Sequence, residues 1–148
     1  MSVAVGTDFG FCVMIAIGMA IQCEVAAMEV DVLRKQCNMP HPDGSGEQLE
    51  AQPSDEDRAK FNRAKYVHDS YREHLPTAVL LLLLAGLFHP AKSTVVGMMY
   101  IPIHAVYNWC HIRGLPEICM CCMPFIRGLL VAWGVIALQG ATALTIFA

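Results

Sequence analysis

Two rows of polar residues recur at helical spacing in a chain that is otherwise strongly apolar. Arg63, Tyr66, Ser70, Glu73 and Thr77 fall every three or four residues and so share one face of a helix. Tyr100, His104, Tyr107 and His111 form a second row at the same spacing, with Asn108 beside it. These are residue types that bind ligands through hydrogen bonds and charge. At membrane depth such side chains point at protein or at a wet cavity, so the two rows are expected to face each other inside a bundle. A plainer reading stands beside this one, in which Tyr100, Tyr107 and Trp109 are interfacial aromatics and His104 is a packed core histidine.

Cysteine and histidine invite three further readings. Cys119, Cys121 and Cys122 with His111 are zinc-ligand types, but a C-x-C-C run lacks the paired C-x-x-C geometry of structural zinc, and no metal site is expected. Cysteines beside a membrane span are also targets for S-acylation. His68, His74, His104 and His111 lack the symmetric placement on two helices that a stacked pair of haems suggests. Nothing resembles a phosphate loop, a Ser-His-Asp order or a zincin motif. A net charge of -3, with basic residues mixed among acids, gives no support to nucleic-acid binding.

The elements that must carry these residues are membrane helices. With 148 residues, 55% of them hydrophobic and 16% charged, and a mean hydropathy of +0.46, the chain is too apolar for an ordinary soluble domain. We expect a single domain over 1–148 with spans near 9–33, 71–89, 93–112 and 124–147 and a solvated loop over 38–57. The second apolar stretch is short, and reaches spanning length only if the polar residues before it, Glu73 and His74 included, continue its helix. Ser54 followed by Asp57 resembles a capping box, so that helix is expected to start near Asp55 and run unbroken into the membrane. Pro102 is expected to kink the third span. Gln22 and Glu24 lie deep in the first span and need partners, with Arg63, Arg72 and His104 as candidates. The first stretch has no basic start and no small-residue cleavage site, so it reads as a retained helix.

Charge orients the bundle. Seven of the ten Lys and Arg lie between Arg34 and Arg72, Arg113 and Arg127 add two, and the opposite side holds Lys92. The positive-inside rule then places the stretches 34–72 and 113–127 on the cytosolic or matrix side. Seven cysteines, mostly in apolar segments or at the ends of segments facing that reducing side, argue against a disulfide framework.

The run Phe61-Asn62-Arg63, then His68, Glu73 and Pro76, then Gly86, His89-Pro90, Gly97, Tyr107, Gly114 and Pro116, carries a resemblance. With Phe9-Gly10-Phe11 and Arg34-Lys35 it is similar, over most of the chain, to the family of membrane-associated proteins in eicosanoid and glutathione metabolism (MAPEG). Within that family the pattern looks most like the type 3 microsomal glutathione S-transferases. The resemblance implies an all-α, left-handed, four-transmembrane-helix bundle that assembles as a homotrimer, with glutathione held between subunits on the cytosolic side.

It also implies where the site should be and what has changed in it. Where the family's second helix carries an arginine and an asparagine, this chain reads Tyr66 and Ser70, while His68, Glu73 and Pro76 keep the pattern. The family's third-helix arginine falls at or near His104, and Tyr107 keeps the family tyrosine. The basic cluster that stabilises the glutathione thiolate is replaced by Glu117-Ile118-Cys119-Met120-Cys121-Cys122. A phenol cannot replace the planar cationic fork that holds a carboxylate. A thiol with an ordinary pKa of about 8.5 stays protonated at neutral pH without a neighbouring cation.

Two functions are expected in order. The first is a non-catalytic structural or accessory subunit of a larger membrane assembly, such as a mitochondrial respiratory complex, with lipid and other membrane subunits as partners and no cofactor. The second is a membrane glutathione transferase or peroxidase acting on hydrophobic electrophiles or lipid hydroperoxides. In that case Arg63, His68, Ser70, Glu73, His104 and Tyr107 bind glutathione, and Arg113 and Tyr107 serve the chemistry. The membrane expected is the mitochondrial inner membrane or the endoplasmic reticulum.

Overall fold

The computed structural model describes residues 7–37, 39 and 53–146. Most of the loop expected over 38–57 therefore lies outside the described residues. Four helices follow one another: α1 (Phe9–Gln36), α2 (Asp55–Phe88), α3 (Pro90–Ile112) and α4 (Pro116–Ile146).

The long second helix starts as its local chemistry dictates. Ser54 is the N-cap, in extended backbone, and its Oγ accepts a hydrogen bond from the Asp57 N–H at 3.1 Å. Asp55, Glu56 and Asp57 put negative charge at the positive end of the helix dipole. At about 1.5 Å per residue, the 34 residues of α2 make a rod roughly 50 Å long, well beyond a ~30 Å hydrocarbon core. Its N-terminal turns therefore stand in water, where the cap replaces packing as the source of order. Ser54→Ala is expected to cost about 1 kcal/mol of local stability. Amide exchange over residues 55–60 checks this and should rise there and nowhere else.

Each helix buries one stripe. On α1 it is Cys12, Ile15, Met19, Cys23, Ala26, Val30 and Leu33, and on α2 Ala64, Val67, Tyr71, Ala78, Leu82 and Ala85. The buried face of α3 is the predicted row, with Tyr100, His104 and Tyr107 joined by Ser93, Gly97 and Cys110. α4 buries a narrower seam, Cys119, Ile126, Trp133 and Gly140, at seven-residue intervals, the interval of left-handed helix packing. α2 and α3 form the middle of the bundle. α1 and α4 each pack on both and do not touch one another. Close approach requires glycine at Gly97, where a Cβ would lie 2.7 Å from Ile15 Cγ2, and at Gly140, where one would overlap Phe88.

Hydrogen bonds between helices satisfy polar atoms that lipid cannot. Ser93 Oγ donates to the Leu82 carbonyl at 2.8 Å, and Trp133 Nε1 donates to the Ser93 carbonyl at 3.1 Å, joining α2, α3 and α4. The Tyr71 hydroxyl lies 3.1 Å from both the Met19 carbonyl oxygen and Gln22 Oε1, and Gln22 Nε2 donates to the Ile101 carbonyl at 3.2 Å, joining α1, α2 and α3.

Three expectations change. Gln22 is met by Tyr71 and Ile101, not by Arg63, Arg72 or His104, because those two groups lie across the α1–α2 and α1–α3 seams. Glu24 sits on the outward face of α1 and forms no ion pair with a described residue. α4 already begins at Pro116, with its polar first turns helical, so the stretch 113–127 is mostly helix rather than loop.

α1, α2 and α4 are each long and apolar enough to cross a membrane by themselves. α3 has the length, 23 residues, and turns its polar aromatic row inward. The molecule is thus an all-α, four-helix integral membrane protein.

Candidate functional site

The three elements that meet at the basic end of the bundle are α2, the C-terminus of α3 and the first turns of α4. The geometry there starts with how α3 stops. Gly114, at φ 71°, takes the left-handed conformation that favours glycine. Its N–H reaches the His111 carbonyl at 3.0 Å, and the Leu115 N–H reaches the Cys110 carbonyl at 2.9 Å, a Schellman closure. The Ile112 carbonyl is then taken by Arg63, whose Nε donates to it at 3.2 Å across from α2. A cation at a helix C-terminus also meets the negative end of the dipole. Arg63 is therefore held as a clamp on the end of α3.

Beside this clamp lies a cleft of about 650 Å³, lined by Tyr66 from α2, Tyr107 and His111 from α3, and Cys119, Met123 and Arg127 among others from α4. Tyr66 stacks on His111 with ring centroids 5.1 Å apart and planes 24° apart. Behind them the aromatic row continues inward, His111 to Tyr107 at 5.6 Å and His104 to Tyr107 at 5.9 Å. Among the described residues lining the cleft, Arg127 is the one arginine or lysine. Arg113 is exposed and lies over the Trp109 ring at 4.6 Å. The cleft therefore offers aromatic faces, thioethers and a single guanidinium, a lining suited to an apolar or aromatic group with one anionic end.

The predicted site residues are only partly brought together. The rows on α2 and α3 meet at one end, through Tyr66 on His111 and Arg63 on Ile112. Deeper in, they part: Glu73 and Thr77 are exposed and Ser70 is half-buried, because α2 presents its small and apolar face to the bundle. His68 is half-buried, with Nδ1 3.7 Å from Asp69 Oδ1. The residue that faces the α3 row from α2 is Tyr71, fully buried, with its ring 4.1 Å from His104. Its signal in the sequence was its place on the period of Ala64, Val67, Ala78 and Leu82. In the sequence Arg127 stands out only as a charge that orients the bundle, because the apolar pattern of the fourth span begins after the cysteines.

The cysteines are all free thiols. Cys119 is buried, with Sγ 3.9 Å from the Tyr107 carbonyl, while Cys121 is exposed. No group of three His, Cys, Asp or Glu among the described residues is arranged to hold a metal ion. Past the end of α1, burial pushes the Cys37 thiol up from its ordinary pKa, and the Asp57 carboxylate adds to the shift.

Four membrane helices with a cleft at the basic end define a class of integral membrane bundle proteins. A family model of the MAPEG family matches residues 11–147, and the chain belongs to that family. No curated protein matches the chain.

Proposed function

We propose that this protein is a non-catalytic accessory subunit of a larger membrane assembly, of the kind a mitochondrial respiratory complex represents, built on a scaffold nearest in pattern to the type 3 microsomal glutathione S-transferases. The observation that carries the reading is that the lining of the cleft holds a single arginine. Arg63 is tied to the Ile112 carbonyl, Arg113 lies outside on Trp109, and the cleft holds Arg127 with Tyr66 where the family pattern has an arginine. A tripeptide with two carboxylates and a thiolate needs more than one guanidinium. Outward-facing charges support the same reading. Glu24, Arg72 and Glu73 are exposed on α1 and α2 at one level. From Phe9 to Glu24 is roughly 22 Å of helix, inside a ~30 Å core, where lipid is a poor neighbour for charge. Protein subunits are better ones.

The alternative is a membrane glutathione transferase or peroxidase for hydrophobic electrophiles or lipid hydroperoxides, working as a homotrimer. The cleft itself favours it, since Tyr107 and Arg127 both line a mostly apolar space. Thermal unfolding with millimolar glutathione, and with S-hexylglutathione, separates the two. A ligand at a hundred times its Kd adds about 2.7 kcal/mol, so an enzyme melts visibly later. The accessory subunit is expected to melt at an unchanged temperature, and to leave native membranes with a fixed set of other subunits rather than as an isolated trimer.

A further inference from the structure

The buried polar side chains of this bundle divide into matched and unmatched groups, and the unmatched ones form a pattern. Tyr71, Ser93 and Trp133 all spend their donors on carbonyls or amides across helix seams. Tyr100 Oη, His104 Nδ1 and Asn108 Oδ1 are buried without a hydrogen-bond partner among the described residues, and apart from Arg34 Nε no other described side-chain atom shares that condition. These three lie four residues apart on one face of α3, each about 6 Å further along the axis than the last. Tyr100 is 0% exposed and His104 6%.

Buried polar atoms that protein leaves unmet are met by ordered water. One water joins polar atoms up to about 5.6 Å apart through two hydrogen bonds of about 2.8 Å, and the Tyr100 and His104 rings are neighbours with centroids 5.3 Å apart. Phenol, imidazole and amide can each accept or donate along such a line. The line has one open end. Asn108 is half-buried, and His111, the next residue of the row, lines the cleft at the basic end. Beyond Tyr100 the way is shut by Leu82 and Trp133, both 0% exposed, with the polar atoms of Ser93 and Trp133 already bonded.

We propose that a file of hydrogen-bonded water runs along the inner face of α3 from the cleft at His111 to a blind end at Tyr100, giving His104 contact with solvent from the basic side alone. The bundle then contains half of a proton path, one that exchanges protons with a single compartment and is sealed from the other. The proposal is independent of whether the protein is a subunit or an enzyme.

Millisecond X-ray radiolysis of the full chain in nanodiscs tests it, because hydroxyl radicals form from water in place and mark the nearest side chains. Tyr100 is expected to be oxidised within about fivefold of the rate of exposed Tyr66, while Trp133, equally buried and 5.4 Å away, is at least about tenfold slower than Tyr100. Asn108→Leu is expected to slow oxidation of Tyr100 by about fivefold or more and to leave Tyr66 unchanged. Tyr100 as slow as Trp133 in the unmodified chain overturns the proposal in favour of a dry contact between Asn108 and His104, whatever the variant does. Tyr100 oxidised equally in Asn108→Leu overturns the route from the cleft.

Discussion

Trp133→Ala is expected to remove about 3–5 kcal/mol from the stability of the bundle, the largest loss of any single truncation in this chain. Trp133 is fully buried at the seam where α4 meets α3, its ring 5.4 Å from Tyr100 and its Nε1 on the Ser93 carbonyl at 3.1 Å. Lipid competes with protein for apolar surface, so the membrane-embedded part of the bundle is held by van der Waals packing and interhelical hydrogen bonds. Trp133 supplies both. α4 is also the helix with least to fall back on, since its buried seam is four residues, Cys119, Ile126, Trp133 and Gly140, and it makes no contact with α1. Trp133→Phe keeps most of the ring and loses the N–H, so it should cost only about 1 kcal/mol. Unfolding by SDS in mixed micelles measures both. Equal losses in the two variants would mean that the hydrogen bond, and not the packing, holds α4.

What the sequence revealed divides along the range of the interaction involved. The start of α2 was legible because Ser54 and Asp57 are three residues apart and the cap they make needs nothing else. The inward turn of Tyr100, His104 and Tyr107 was legible because the other faces of α3 are mostly apolar, which leaves lipid to them. The α2 row misled for a physical reason: a polar face at membrane depth must avoid lipid, but it can do so by turning to its own bundle or to a neighbouring subunit, and periodicity is the same in both cases. Glu73 and Thr77 turn outward while Tyr71 turns in. The roles of Gly97 and Gly140 were hidden for a related reason. Their counterparts, Ile15 and Phe88, are far away in the chain and near only across a seam. Arg63, a candidate ligand for glutathione, also engages the end of α3 through Nε, which only the position of the Ile112 carbonyl could disclose.

Tyr66→Arg is expected to raise the affinity for glutathione by about ten- to a hundredfold, the equivalent of the 1.5–3 kcal/mol that a hydrogen bond to a charged group contributes. Tyr66 stands at the rim of the cleft, 54% exposed and stacked on His111, so a longer side chain has room there and its guanidinium can stay on the same imidazole face. With Arg127 also in the lining it would give the cleft two cations for a ligand with two carboxylates. Repulsion works the other way. Arg63 is one turn below on α2, and its Nε is already committed to Ile112, so adding a like charge beside it costs some of the gain and makes it sensitive to salt. Isothermal titration at low and at physiological ionic strength reads both effects, and Tyr66→Lys serves as the control that adds charge without the bidentate fork. A gain in Tyr66→Arg well above that in Tyr66→Lys supports a cleft that keeps the shape of a glutathione site and lacks its charge. Equal and negligible gains would show that the cleft no longer fits the tripeptide, and the accessory role would then rest on shape as well as charge.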